Sequence, residues 1–277
     1  MPPQKPGAKK PDGVKKPVAK PRKVNRKSIL IVSIIIAAVI IGLVAYSYQN
    51  NGGTTSSLIG KPISSDLYNA LSNVSFSTLS HVGHGSASAP VQISGPALSS
   101  DNKPLIVYFG SEYCPYCAAE RWSVIVALSK FGNFTNLSYM ESSPTDVYSN
   151  TPTFSFYGAT YTSPYISFQS VEFQDRFSGP LQTPTPDQNA LDKTYNPQGG
   201  IPFVDIANHY AVSGSQYQVT LLSGMDWTQI SSQLDNPDSD VAKGIDGAAN
   251  ILISKICRST NEMPSDVCSQ SFANLES

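Results

Sequence analysis

Basic residues are scarce along most of this chain. Of the 19 lysines and arginines in 277 residues, ten fall within the first 27, beside the single acid Asp12. Taking these from the totals of 19 basic and 20 acidic residues leaves 9 basic against 19 acidic beyond residue 27. That surplus of acid excludes a nucleic-acid role for the larger part. Histidine is also sparse, with only His81, His84 and His209. Structural zinc needs four ligands in closely spaced pairs, and Cys257 and Cys268 lie too far apart to complement Cys114 and Cys117. No metal and no cofactor are therefore assigned. Internal repeats are absent, which excludes a solenoid or propeller.

A long apolar run occurs near the N-terminus, from Ile29 to Tyr46, broken by nothing more polar than Ser33. At about 1.5 Å per residue, such a helix crosses the hydrocarbon core of a bilayer, and Tyr46 and Tyr48 suit its far interface. The proline-rich basic tail in front of it has nothing apolar to bury and is expected to be disordered. Lysine and arginine flanking a span stay cytosolic, so everything after it is expected outside the cell membrane. The expected domains are a tail over 1–27, a transmembrane helix over 28–48, a flexible linker over 49–57 and an extracytoplasmic domain over 58–277. A cleaved signal peptide, with Ala45 and Ser47 as small residues near the cut, is the alternative.

All four cysteines fall in the exported part, in keeping with an oxidising compartment. Of the three possible pairings, the two local ones, Cys114 with Cys117 and Cys257 with Cys268, are the natural choice. The sharper alternative lets the second pair shuttle electrons to the first. Sequons at Asn73, Asn133 and Asn136 are compatible with surface glycosylation.

Within the exported part, a short helix is expected near Ser65–Leu71 and a strand at Val91–Ser94. The run Leu105–Phe109 reads as a strand buried on both faces, ending at Gly110. After Cys114-Pro115-Tyr116-Cys117, apolar residues including Trp122, Ile125, Val126 and Leu128 recur at helical spacing to Phe131, where Gly132 can serve as a left-handed cap. A second strand is expected at Leu137–Met140. Another starts at Ile201-Pro202 and turns near Asn208 into an antiparallel partner around Tyr210–Tyr217. Between them, about 141–200 reads as an insertion rich in aromatic residues, with strands suggested by Phe154/Phe156 and Ile166/Phe168. Its aromatics read as a small core of its own, or alternatively as a peptide-binding surface. Helices are expected at Trp227–Leu234 and Val241–Ile256.

A CxxC that opens a helix is suited to redox chemistry. Free N–H groups and the dipole of the first turn favour a thiolate on Cys114, the attacking species. Pro115 loses nothing at a position whose N–H has no helical partner. Cys117, one turn in, is placed to resolve a mixed disulfide.

The strand, the Cys-Pro-Tyr-Cys and the helix resemble the active site of the thioredoxin superfamily, with the dipeptide seen in glutaredoxins. Ile201-Pro202 resembles the superfamily's cis-proline, which faces the CxxC and whose preceding residue pairs with substrate backbone. The stretches EYCPYCAAERW, TPTFSFYGATY and IPFVDIANHY are similar to an archaeal membrane-anchored family classified as a domain of unknown function, over about residues 65–270. The resemblance implies an α/β fold: a thioredoxin-like core with an aromatic-rich insertion before the cis-proline, preceded by one transmembrane helix. It carries over Cys114 and Cys117 as catalytic residues, and Ile201 and Pro202 as substrate-binding ones. Glu120 and Arg121, charges just beyond Cys117, depart from the glutaredoxin pattern, so glutathione binding is not carried over.

The function expected is that of a membrane-anchored oxidoreductase exchanging with thiols or disulfides of exported proteins, anchored in the lipid bilayer through residues 29–46. Acting as a reductant, it would require a membrane redox partner. The alternative is a non-catalytic binding or adhesion module in which the CxxC is an inert disulfide. A copper site of Cys114, Cys117 and a histidine is a third reading, since soft thiolates favour Cu(I). Protease added to intact cells should digest the chain beyond residue 48 and spare an epitope before Lys27; loss of that epitope would refute the orientation.

Overall fold

The computed structural model describes residues 56–275. The expected tail, transmembrane helix and all but the end of the linker lie outside them. Among the described residues, no helix is long and apolar enough to cross a membrane.

The described residues form a mixed α/β structure. Two short helices come first, α1 (Ser65–Ser72) and α2 (Phe76–Val82), each capped by a serine, Ser64 and Ser75, whose hydroxyl accepts a first-turn N–H. Strands β1 (Val91–Gln92) and β2 (Ser99–Ser100) lead into β3 (Lys103–Gly110). Asp101 and Asn102, both at positive φ, make the two-residue turn between β2 and β3. The CxxC helix, α3, spans Pro115–Leu128.

Beyond α3 lie two small hairpin-like sheets. In one, β4 (Asn133–Thr135) pairs with β7 (Thr160–Thr162). In the other, β5 (Ser138–Glu141) pairs with β6 (Pro152–Ser155). The chain then returns to the main sheet as β8 (Ser167–Glu172), followed by α4 (Pro186–Tyr195). Strands β9 (Phe203–Ile206) and β10 (Tyr210–Ser213) form an antiparallel hairpin. Helices α5 (Trp227–Ser231), α6 (Asp240–Ser259) and α7 (Ser265–Cys268) complete the chain.

Strand β3 lies inside the main sheet. It pairs in parallel with β8, Leu105 to Gly110 against Ser167 to Glu172, and antiparallel with β9, Phe109 opposite Phe203. Its side chains alternate between two cores. Ile106 and Tyr108 join the cluster built from α3, α6 and the aromatics Phe134, Phe154 and Phe156. Leu105, Val107 and Phe109 join the smaller cluster on the opposite face, where Leu191 and Tyr195 of α4 pack. Both faces are covered, as a continuous apolar strand requires.

Two expectations are corrected. Residues 141–200 are not wholly an insertion, because they supply a main-sheet strand, β8, and a helix, α4. The strand expected at Leu137–Met140 is present as β5 and lies in the side sheet with β6, so the excursion from the main sheet runs from about 132 to 166. Helix α3 stops at Leu128, and Gly132 is not at positive φ. What Gly132 provides is room: a Cβ there would lie 2.3 Å from the Thr162 carbonyl oxygen.

Phe134, Phe154 and Phe156 of the excursion are core. Phe134 stacks on Phe156 with ring centroids 5.7 Å apart, and Phe168 packs edge-on against both at 5.5 and 5.2 Å. Trp122 of α3 donates its indole N–H to Pro152 O at 2.9 Å, fastening β6 to the helix.

Cys257, near the end of α6, is bonded to Cys268 of α7, with Cα atoms 5.5 Å apart. Closing a loop of this size contributes about 2–3 kcal/mol on a chain-entropy basis. A Cys257→Ala, Cys268→Ala double variant should lose that amount in urea unfolding, and an unchanged midpoint would show the bond to be dispensable.

Candidate functional site

Strand β3 ends at Gly110, and four residues later Cys114 takes the N-cap of α3 in extended conformation. Its Sγ accepts the backbone N–H of Cys117 at 3.2 Å, the role a serine hydroxyl plays in α1 and α2. Helix start and sulfur position thus have one cause. Both cysteines are free thiols; Cys114 is 5% exposed and Cys117 fully buried.

The two thiols differ in electrostatics. Cys114 is held below the ordinary thiol range, chiefly by its hydrogen bond with the Cys117 side chain. Burial opposes this, while the Cys117 N–H, the Arg121 charge and the Tyr116 N–H reinforce it. Cys117 is pushed well up, first by burial and then by its bond to Cys114. The outer thiol is the one disposed to ionise.

Opposite them stands the loop before β9. The Ile201-Pro202 peptide is cis, and the Cys114 thiol donates a long hydrogen bond to Ile201 O at 3.9 Å. Buried Asn196 holds that loop through its side chain, donating to Gly200 O at 2.9 Å and accepting from Gly200 N at 3.1 Å. Cys114, Cys117, Ile201 and Pro202 are therefore together. Cys257 and Cys268 are apart from them, tied to each other. Asn73, Asn133 and Asn136 are all exposed.

Two loops complete the surroundings. Ser143 N–H donates to Tyr113 O at 2.8 Å, and Glu112 N–H to Gln174 O at 2.9 Å. Arg176, almost wholly buried, binds Glu141 O, Ser142 O and the Glu141 carboxylate at 3.0–3.1 Å, with Asn150 Oδ1 as a further acceptor. It locks the loop after β5 to the loop after β8. On these loops Val147 and Phe177 are 72% and 73% exposed, and Tyr148 meets the half-exposed Tyr116 edge-on at 5.9 Å. The cysteines sit behind an apolar rim.

Sequence reasoning took Arg121 only as a departure from a pattern. In the structure its guanidinium is fully buried and bidentate on Glu172 of β8, Nε to Oε1 at 2.9 Å and Nη2 to Oε2 at 2.7 Å. Nη2 also donates to Ser111 O at 2.9 Å. Removing one member of such a pair costs about 3–5 kcal/mol, because the other charge is left buried and unpaired. The signal was a charged Glu-Arg step inside an otherwise apolar helix. Its partner, 51 residues away in a segment read as insertion, carried none.

The histidines are elsewhere. His81 lies on the surface 3.9 Å from Asp238. His209 sits in the β9–β10 turn, at the Ile106 end of β3 and away from Cys114. Among the described residues, one group of three metal-ligating side chains converges, Cys257, Glu262 and Cys268, and both its sulfurs are in the disulfide. Cys114 and Cys117 are not part of that group.

Residues 89–199 match a family described as a domain of unknown function (DUF929), a stretch that holds Cys114, Cys117, Arg121 and Glu172 but ends before Ile201. No curated protein and no solved structure matches the chain.

Alkylation of the reduced protein by iodoacetamide should modify Cys114 well before Cys117. Its rate should rise with pH to a plateau below the range of an ordinary thiol, because the thiolate fraction saturates once pH passes the lowered pKa. Cys117→Ala, which removes the largest cause of the lowering, should move the profile up. Equal labelling of both thiols would contradict the assignment.

Proposed function

We propose that the chain is a thiol-disulfide oxidoreductase of thioredoxin-like architecture, anchored in the cell membrane and acting on exported proteins. The observation that carries this reading is the free Cys114 thiol at the N-cap of α3, disposed to ionise, with Cys117 one turn behind and the Ile201 carbonyl before it. The strand arrangement supports the architecture: β8 parallel to β3 on one side, β9 and β10 antiparallel on the other. Helices α3 and α6 lie on one face and α4 on the other. Fold analogy alone would not carry the chemistry.

In the direction that reduces a substrate, the Cys114 thiolate attacks a disulfide R1–S–S–R2. A Cys114–S–S–R1 bond forms, and R2–S⁻ leaves. Cys117 gives up its proton, which ends on the departing sulfur, and its thiolate attacks Cys114 Sγ. The Cys114–Cys117 disulfide forms and R1–S⁻ leaves to be protonated from solvent. Two electrons pass from the protein to the substrate, and run in reverse the same steps oxidise a dithiol. The Ile201 edge would align extended backbone beside Cys114, and the rim of Tyr116, Val147, Tyr148 and Phe177 would take apolar side chains of a partly folded chain.

A second reading, a binding module with an inert cysteine pair, is favoured by the small exposure of Cys114. Trapping separates the two. A full-length Cys117→Ser variant should accumulate mixed disulfides with exported proteins, because attack survives and resolution does not, whereas Cys114→Ser should trap none. If neither traps anything and the wild-type pair fails to exchange with dithiothreitol, the binding-module reading replaces the enzyme.

A further inference from the structure

Behind the cysteine pair lies a buried ion pair, Arg121 with Glu172. Arg121 follows Cys117 by four residues on α3, so the two side chains share a helix face. Its guanidinium carbon is 5.6 Å from the centre of the Tyr108 ring, and the Tyr108 hydroxyl donates to Cys117 O at 3.5 Å. Gly110 admits that hydroxyl, since a Cβ there would meet it at 2.4 Å. Arg121 spends Nε and Nη2 on Glu172 and Ser111, while Nη1, equally buried, has no hydrogen-bond partner among the described residues. An unused buried donor on a buried cation calls for an explanation. The other titratable groups facing this space, Tyr108 and Glu112, are both pushed by burial toward their neutral forms. Asp146 and Asp175 lie on the loops of the rim.

We propose that Arg121 is a positioning residue for the exchange reaction: its fixed guanidinium stabilises negative charge on Cys114 at rest and on Cys117 as the ring closes, and Glu172 holds and moderates it. The inference rests on the exchange reading above. Its logic is a matter of timing. A thiolate on Cys117 is needed only during resolution, and burial alone would make it inaccessible. A cation already in place, oriented by a bidentate carboxylate, lowers that barrier without any side chain having to move. Arg121 acts favourably on both thiols, and the bidentate grip keeps it from swinging outward.

The test uses opposite signs. In the full-length reduced protein, Arg121→Gln should shift the iodoacetamide profile of Cys114 up by about one pH unit and slow alkylation at neutral pH about tenfold. Glu172→Gln, which leaves the cation uncompensated, should shift it down. Arg121→Lys should stay near wild type. The equilibrium with glutathione should move toward the disulfide in Arg121→Gln and toward the dithiol in Glu172→Gln. A merely structural pair would destabilise the fold in both single variants without moving the thiol in opposite directions. Should Arg121→Gln not fold, the downward shift in Glu172→Gln with Arg121→Lys unchanged supports the proposal, and no shift in Glu172→Gln overturns it. Shifts of the same sign in both glutamine variants also overturn it. Neither readout involves an exported protein, so failure to trap substrates would sink the function without touching this inference, and flat titrations would do the reverse.

Discussion

The placement of Cys114 depends on the two-sided pairing of β3. Hydrogen bonds to β8 and β9 fix where that strand ends, and the end of the strand fixes where α3 can begin. The same ladder brings Phe203, just after Pro202, opposite Phe109, just before Gly110, so the loop carrying Ile201 must face the CxxC. Glu172 is the residue of β8 paired with Gly110, which sets a carboxylate at the depth where Arg121 ends. Register, a backbone property, thus assembles Cys114, Cys117, the opposing Ile201 carbonyl and the buried ion pair.

Burial explains the division of labour between the cysteines. Both are enclosed, and desolvation alone would raise both thiols. Cys114 escapes chiefly through its hydrogen bond with the Cys117 side chain, helped by the Cys117 N–H that its sulfur caps. Cys117, wholly enclosed, is pushed up by burial first, and the Ser111 N–H beside it only partly offsets this. The ion pair behind them is costly to assemble from water, and by itself it is weak evidence of stability. Its meaning lies in what it faces.

Parts of the fold could be read directly. Leu105 to Phe109 is apolar at every position, and such a run is a strand buried on both faces; Pro115 and the apolar spacing after it announce a helix. Residues 203–213 form two strands around a turn at Asn208, which is at positive φ and whose side chain donates to Pro96 O. Other parts were hidden for identifiable reasons. Ser167 to Glu172 has three polar side chains before Val171 and earns its place by parallel pairing to a strand sixty residues earlier, a contact with no local signature. Helix α4 buries no residue fully, so hydrophobic spacing could not reveal it. Its capping box, Thr185 with Gln188 behind Pro186, could have.

What the sequence determined by itself is what short-range physics controls: a proline-started helix opening on a cysteine, a strand that must be covered twice, a local pairing of Cys257 with Cys268, and a charge balance unsuited to nucleic acid. The tertiary structure alone decided which strand lies beside β3, that Arg121 and Glu172 are partners, and that Ile201 stands before Cys114. Those are contacts between residues fifty to ninety positions apart, and no feature of either segment specifies its partner until the sheet and its two faces have closed around them.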